Sequence, residues 1–213
     1  MGKAILGLLS LSTVLLVNSA WADEFPVTGT LTAGRPGDRV YVDLTYDYGA
    51  GFKAIAEDLN IQYPGLVMNM VLSASTIDMG GSTRNLREYA EMLKTFALAH
   101  SGAVLENPDP TLAGGLKGYA MSFYTADGTG HARSGPVNLR VAFDIPLSTA
   151  PASYKVSFVN SVLVDHLGTE FAYPEALQNL SVTVVPEPAT AWMLLAGVGL
   201  LGLYVGRRNA ARS

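Results

Sequence analysis

Along the middle of the chain, apolar and polar residues alternate with a period of two. In RVYVDLTYDYG, Val40, Val42, Leu44 and Tyr46 share one face while Tyr41, Asp43, Thr45 and Asp47 share the other, the pattern of a strand with one side in a core. NLRVAFDIP repeats it, with Leu139, Val141, Phe143 and Ile145 opposite Arg140 and Asp144. SYKVSFVN repeats it again, with Tyr154, Val156 and Phe158 alternating with Lys155 and Ser157. Shorter candidate strands lie at 27–32, 57–63, 66–74, 119–125, 162–165 and 180–185. Short runs of this kind, separated by Gly, Pro and Asp turns, predict a mainly β chain built as a sandwich or barrel.

One stretch changes period. GGSTRNLREYAEMLKTFALAH places Leu86, Tyr89, Leu93, Phe96 and His100 at helical spacing, with Arg84, Arg87, Glu88, Glu91 and Lys94 mostly elsewhere around the turn. This predicts one amphipathic helix, at about 83–100, packed across an end or face of the β-structure. Asn85 and Glu88 have the spacing of a capping box, with Ser82 and Thr83 as alternative caps, and Gly102 is the expected terminator.

The two ends of the chain read as processing segments. Lys3, the apolar run Ile5–Val17 and the small residues Ala20 and Ala22 around Trp21 are the three parts of a signal peptide over 1–22, cut by signal peptidase after Ala22. At the other end an apolar run covers 189–206, followed at once by Arg207 and Arg208. Its length suits a membrane helix of about 17 residues or more, and the basic flank predicts a cytoplasmic C-terminus, with everything before Pro186 outside. The run contains a literal G-x-G-x-x-G at Gly197, Gly199 and Gly202. No strand pattern precedes these glycines and no acidic residue follows them, so they do not form a dinucleotide loop.

Val185-Pro186-Glu187-Pro188, the Gly/Leu-rich span and the terminal arginine pair, occurring in this order, resemble the PEP-CTERM sorting signal of exported bacterial proteins. The resemblance covers 185–213. It implies that Pro186, Glu187 and Pro188 are a site acted on by an exosortase, in a Gram-negative-type envelope and in association with exopolysaccharide. The remaining domain, 23–184, is similar in pattern to a cohesin or a related carbohydrate-binding sandwich. That likeness is carried by GRPGDRVYVDLTYDYG, GPVNLRVAFDIP, YKVSFVNSVLVDHLG and LQNLSVTVV, and it implies a single jelly-roll or cohesin-like β-sandwich. The stretch Gly80–Gly118, with the helix and Pro108-Asp109-Pro110, departs from the simplest cohesin pattern and is expected to be an insertion. No binding residue is carried over.

With both ends set aside, 23–185 holds 10 Lys+Arg against 17 Asp+Glu, a formal charge of −7. The length suits one domain with its own core, and the acidity argues against nucleic acid as a partner. Cysteine is absent, which excludes disulfides, thiolate metal sites and a cysteine nucleophile. No G-x-S-x-G segment occurs, and His100, His131 and His166 lie far apart without zinc-site spacing. Asp43 and Asp47, four residues apart on one strand face, are separated by about 13 Å, too wide for a glycosidase pair and suited to an exposed polar face. Glu57-Asp58 reads as a strand edge able to touch a cation or simply solvated, and the Asp-Gly turn at Asp127 as a hairpin. Tyr41, Tyr124 and Tyr173 are candidate outward-facing rings for sugar stacking, with ordinary sandwich packing as the alternative.

These features predict an exported, non-catalytic adhesion or binding module, without cofactor or metal, sorted to the cell surface or extracellular matrix and contacting polysaccharide or a surface protein. Two other readings remain: an extracellular hydrolase or lyase assembled from distant residues, and a purely structural matrix protein.

Overall fold

The computed structural model describes residues 27–29, 32–47, 51–108, 110–133, 135–159, 162–172 and 180–186, together with Met193, Ala196 and Val198. The expected signal peptide, with Ala20 and Ala22, lies outside the described residues, as do Glu187, Pro188, Arg207, Arg208 and Tyr173. Met193, Ala196 and Val198 are helical. Among the described residues no helix is long and apolar enough to cross a membrane.

The strands follow in the order β1 (Val27–Gly29), β2 (Thr32–Gly34), β3 (Arg39–Asp47), β4 (Phe52–Pro64), β5 (Asn69–Met70), β6 (Thr76–Met79) and β7 (Thr83–Asn85). After helix α1 (Leu86–Ala99) come β8 (Ala103–Asn107), β9 (Leu116–Tyr124), β10 (His131–Arg133), β11 (Pro136–Asp144), β12 (Ala152–Phe158), β13 (Val162–Asp165), β14 (Glu170–Ala172) and β15 (Leu180–Val184). One sheet has the order β1-β3-β11-β6-β7, with β5 added to β11. The other is built around the long strand β4. Along one of its edges run β9 and β10, with β8 outside β9; along the other run β12 and β13, leading through β15 to β2 on one flank and to β14 on the other.

Alternation does what the sequence predicts in the longest strands. Val40, Val42, Leu44 and Tyr46 of β3 and Leu139, Val141 and Phe143 of β11 are all buried, facing Leu59, Ile61 and Tyr63 of β4. Tyr63 meets Phe143 edge-on at 5.2 Å between ring centres, an aromatic contact that ties the two sheets together. The architecture is mainly β with one helix, a sandwich.

Helix α1 closes one open flank. Leu86, Tyr89, Ala90, Leu93 and Ala97 are buried, and Phe96 packs beside Phe123 of β9. Its start is the expected capping box: Asn85 accepts from the Glu88 amide while Glu88 accepts from the Asn85 amide. Its end differs from expectation. The left-handed residue is Ser101 (φ 55°), and the Gly102 amide bonds back to the Ala97 carbonyl at 2.7 Å, so glycine stands one place later than a left-handed terminator. A Cβ on Gly102 would lie 1.9 Å from the Tyr124 carbonyl oxygen. Close approach to β9 is what requires glycine there.

Two further expectations are corrected. The stretch 66–74 contributes only the two-residue β5, because Ala74 and Ser75 turn back onto the Val71 carbonyl. The Asp127 segment is no hairpin: β9 and β10 both pair with β4, in line with one another, and 125–130 is an excursion between them. Beside that excursion β4 carries a bulge. Val164 faces Ala56 while Asp165 faces Ala54, leaving Ile55 as the extra residue.

The sandwich has two distinct ends. At the far end lie the end of β3, the start of β4, the start of β11 and the end of β9. At the tail end lie the end of β11, the start of β3, the end of β4, the start of β12 and the end of β15, whose Val184 pairs with Ala152.

Candidate functional site

Because alternate residues of β3 fill the core, Arg39, Tyr41, Asp43, Thr45 and Asp47 turn outward. β11 sets Asp144, Ala142, Arg140, Asn138 and Pro136 directly opposite them. β6 extends the rows, with Thr76 beside Arg140 and Asp78 beside Asn138. Cross-strand neighbours on one face interact, and here the partners are complementary. Arg140 donates to both oxygens of Asp43 at 2.7 and 3.0 Å. Arg39 does the same to Asp144 at 2.6 and 3.0 Å, and Thr45 donates to Asn138 at 2.7 Å. The Arg140 guanidinium also lies 5.2 Å from the centre of the Tyr41 ring.

These fork-to-fork bonds hold the charges in fixed planes. Hydrogen bonding to Asp43 raises the Arg140 pKa, and bonding to Arg39 lowers that of Asp144. Between the rows is a shallow depression of about 380 Å³ whose walls include Asp43, Thr45, Thr76, Asp78, Asn138 and Arg140. The result is an outward surface of guanidinium, carboxylate, amide and hydroxyl groups around one tyrosine. Such a surface suits a polar partner laid across it. The expectation that Asp43 and Asp47 form an exposed polar face agrees with this arrangement.

A second polar cluster lies beneath α1; the sequence reading names Glu57, Tyr89 and His131 but neither Arg133 nor the contact between them. Glu57 is 3 % exposed and Arg133 is 1 % exposed, so Glu57 is no solvated edge. Arg133 Nη2 donates to Glu57 Oε2 at 2.6 Å, and the Tyr89 hydroxyl donates to the same oxygen at 2.8 Å. The guanidinium stands 5.3 Å from the Tyr89 ring centre, and its Nη1 donates to His131 Nδ1 and contacts the Met79 sulfur. Glu57 has the same parity as Leu59, Ile61 and Tyr63, which was a legible signal of its inward direction. Arg133 sits in a three-residue strand too short to show any period.

Two histidines converge here. His131 lies 4.9 Å from Phe96, and His100 lies 4.5 Å from the same ring on its own helix. Burial first, and the neighbouring Arg133 cation second, push the His131 pKa down to about 4. His131 is therefore neutral, with Nδ1 accepting and the proton on Nε2. His100 Nδ1 contacts Asp127 at 2.9 Å, and Asp127 also accepts from the Thr129 amide at 2.8 Å; the latter bond and then His100 lower its pKa. His166 is elsewhere, on the β13–β14 turn, its amide bonded to the Lys53 carbonyl. Every group that the cluster brings together is thus engaged by a neighbour. The described residues contain no group of three or more His, Asp or Glu able to hold a metal.

Tyr124 is 49 % exposed on β9 of the nine-stranded sheet, whereas Tyr41 lies on β3 of the other sheet, so the two rings form no row. Pro186 is exposed, two residues past the end of β15, and the Val185 amide is bonded to the Gly34 carbonyl at 2.8 Å. The residue just before the expected sorting site is therefore held against the sandwich, and Pro186 itself is exposed.

Residues 184–209 match the PEP-CTERM protein-sorting motif. No curated protein matches the chain. Among solved structures, the solution structure of CaCohA2 from Clostridium acetobutylicum is 12 % identical, with a TM-score of 0.52, covering 77 % of this chain and 92 % of that one. A cohesin in a type I cohesin–dockerin complex from Clostridium thermocellum is 13 % identical, with a TM-score of 0.48, covering 76 % of this chain and all of that one. A non-cellulosomal cohesin from the archaeon Archaeoglobus fulgidus is 14 % identical, with a TM-score of 0.42, covering 80 % and 97 %. The likeness to CaCohA2 makes the sandwich cohesin-like in fold; at this identity it speaks to fold alone.

Proposed function

We propose that this protein is an exported, non-catalytic binding module that an exosortase processes at Pro186-Glu187-Pro188 and delivers to the cell surface or extracellular matrix. Signal peptidase removes residues 1–22, and the apolar run 189–206 holds the chain in the membrane until the tail is cut, with Arg207 and Arg208 on the cytoplasmic side. The polar face of β3, β11 and β6 then meets a polysaccharide or a surface protein. One observation carries the reading: the sorting-motif match begins at residue 184, the last residue of the final strand. A folded sandwich is therefore delivered directly to the sorting step.

The test compares the intact mass and location of the mature protein in its native host with those of a Pro186→Ala, Glu187→Ala, Pro188→Ala variant. Loss of both termini from the wild type, with the tail retained in the variant, supports exosortase processing. A mature mass that keeps the tail in both overturns it.

A further inference from the structure

We infer that the tail end of the sandwich rests on the membrane surface while the anchor is in place, with Leu66 and Leu147 set among the lipid headgroups. This rests on the membrane-anchored reading above and adds to it which end of the domain touches lipid.

The chain geometry requires closeness. β15 ends at Val184, paired with Ala152 of β12. Only residues 185–188 separate it from the apolar run at 189, and four residues reach at most roughly 14 Å even when fully extended. The tether is also fixed at its root, since the Val185 amide is bonded to Gly34. A domain about 10 Å thick between its sheets cannot turn over on so short a connection, so the loops around Val184 face the bilayer.

Two of those loops carry, among the described residues, the most exposed large apolar side chains of the sandwich. Leu66 is 85 % exposed, on the turn after β4, and Leu147 is 80 % exposed, in the connection from β11 to β12. The two loops are joined: the Thr149 hydroxyl donates to the Val67 carbonyl at 3.0 Å. The second loop runs across the tail end from one sheet to the other and delivers the chain to Ala152, the partner of Val184. Leu147 also lies against Gly37 of the β2–β3 turn, so three tail-end loops form one surface. Exposed Arg35 and the stem of Lys117, which covers Gly65, stand on the same end. Apolar tips flanked by cations are the chemistry of an interface-seated surface beside anionic headgroups.

The far end supplies a matched control. Leu167, 79 % exposed, stands on the β13–β14 turn there, beyond Asp165, which pairs near the start of β4. Because the chain has no cysteine, single Leu66→Cys, Leu147→Cys, Leu167→Cys and Met193→Cys variants of the full chain can each carry one fluorophore. They are reconstituted into phosphatidylethanolamine/phosphatidylglycerol vesicles containing headgroup-nitroxide lipid. The expected result is several-fold stronger quenching at 66 and 147 than at 167, with strong quenching at 193 as well. Quenching at 193 with 66 and 147 no stronger than 167 overturns the inference while leaving the anchor intact. No quenching at 193 overturns the anchor and this inference with it.

Discussion

Glu57 and Arg133, 76 positions apart in the chain, meet at 2.6 Å with side chains 3 % and 1 % exposed. The pair joins β4 to β10 under the helix, and Tyr89 of α1 bonds to the same carboxylate oxygen. Three elements are thereby fixed to one buried charge. Replacing one member strands the other in a dry site, which typically costs ~3–5 kcal/mol. Arg133→Met or Glu57→Leu alone should therefore lower the urea midpoint sharply. The double variant should recover most of that loss, since apolar replacement of a whole buried pair is often neutral. Equal, additive losses in the cycle would show that the two side chains do not act as a pair.

His131 makes stability depend on pH in a particular window. Its folded pKa, about 4, lies below the ordinary 6.5, first through burial and then through Arg133. Below 6.5 the unfolded chain takes up a proton that the folded chain refuses, so stability rises with pH between about 4 and 6.5. It is fully present above that window and lost as pH falls through it. Asp127 and Asp144, whose pKa values are lowered, add their losses only further down, below the ordinary carboxylate value. His131→Asn keeps an acceptor for Arg133 and should flatten the slope from pH 6.5 to 4 in chemical unfolding curves. An unchanged slope would assign it to another group.

The parts of this fold that were legible are those in which one residue type repeats long enough to show a period. β3 and β11 each run for nine residues; β3 alternates throughout and β11 as far as Val141, after which Ala142 is buried as well, and α1 shows its buried stripe and its capping box. Glu57 is legible by its parity with Leu59, although its charge suggests the solvated or cation-touching strand edge expected of Glu57-Asp58; the structure buries it against Arg133. Arg133 was not readable at all: burying a guanidinium depends on a carboxylate 76 positions away, a relationship without local signature. At the face of the six-stranded sheet, the polar character of Asp43 and Arg140 was evident, but their pairing needed the register of β3 against β11.

Gly102 fits where any side chain would collide with backbone. Its added Cβ would stand 1.9 Å from the Tyr124 oxygen and 2.8 Å from Thr125 Cα, so neither neighbour can yield as a flexible side chain does. Gly102→Ala should destabilise by ~1–3 kcal/mol, the usual cost of forced overpacking. Because His100 accepts from the Ala126 amide through its carbonyl, the same change should broaden or shift the His100 and Asp127 resonances. A substitution with no loss of stability would mean that α1 and β9 separate here at little cost.

The polar face allows function and stability to be separated. Arg140 and Asp43 are both partly exposed, and such pairs contribute about 0–1 kcal/mol to folding. An Arg140→Ala, Tyr41→Ala variant should therefore unfold close to the wild type while losing most of its binding to isolated matrix polysaccharide or surface protein. Binding undiminished by this change would move the contact surface off β3 and β11.

The last strand sets where the sorting tail is able to be cut without harm. Leu180, Val182 and Val184 are 7 %, 0 % and 2 % exposed, and β15 bridges β12 on one side and β2 on the other, the latter in parallel. A chain ending at Pro186 keeps every one of these contacts, so its unfolding free energy should match that of the longer chain to within about 0.5 kcal/mol, the usual range for surface changes. A chain ending at Asn179 exposes the core edge of β12 and leaves β2 without its ladder. It should fail to fold cooperatively, as seen by loss of the unfolding transition in circular dichroism. If the shorter chain instead keeps its transition, β15 is dispensable, and a cut upstream of Pro186 would be as harmless as one beside it.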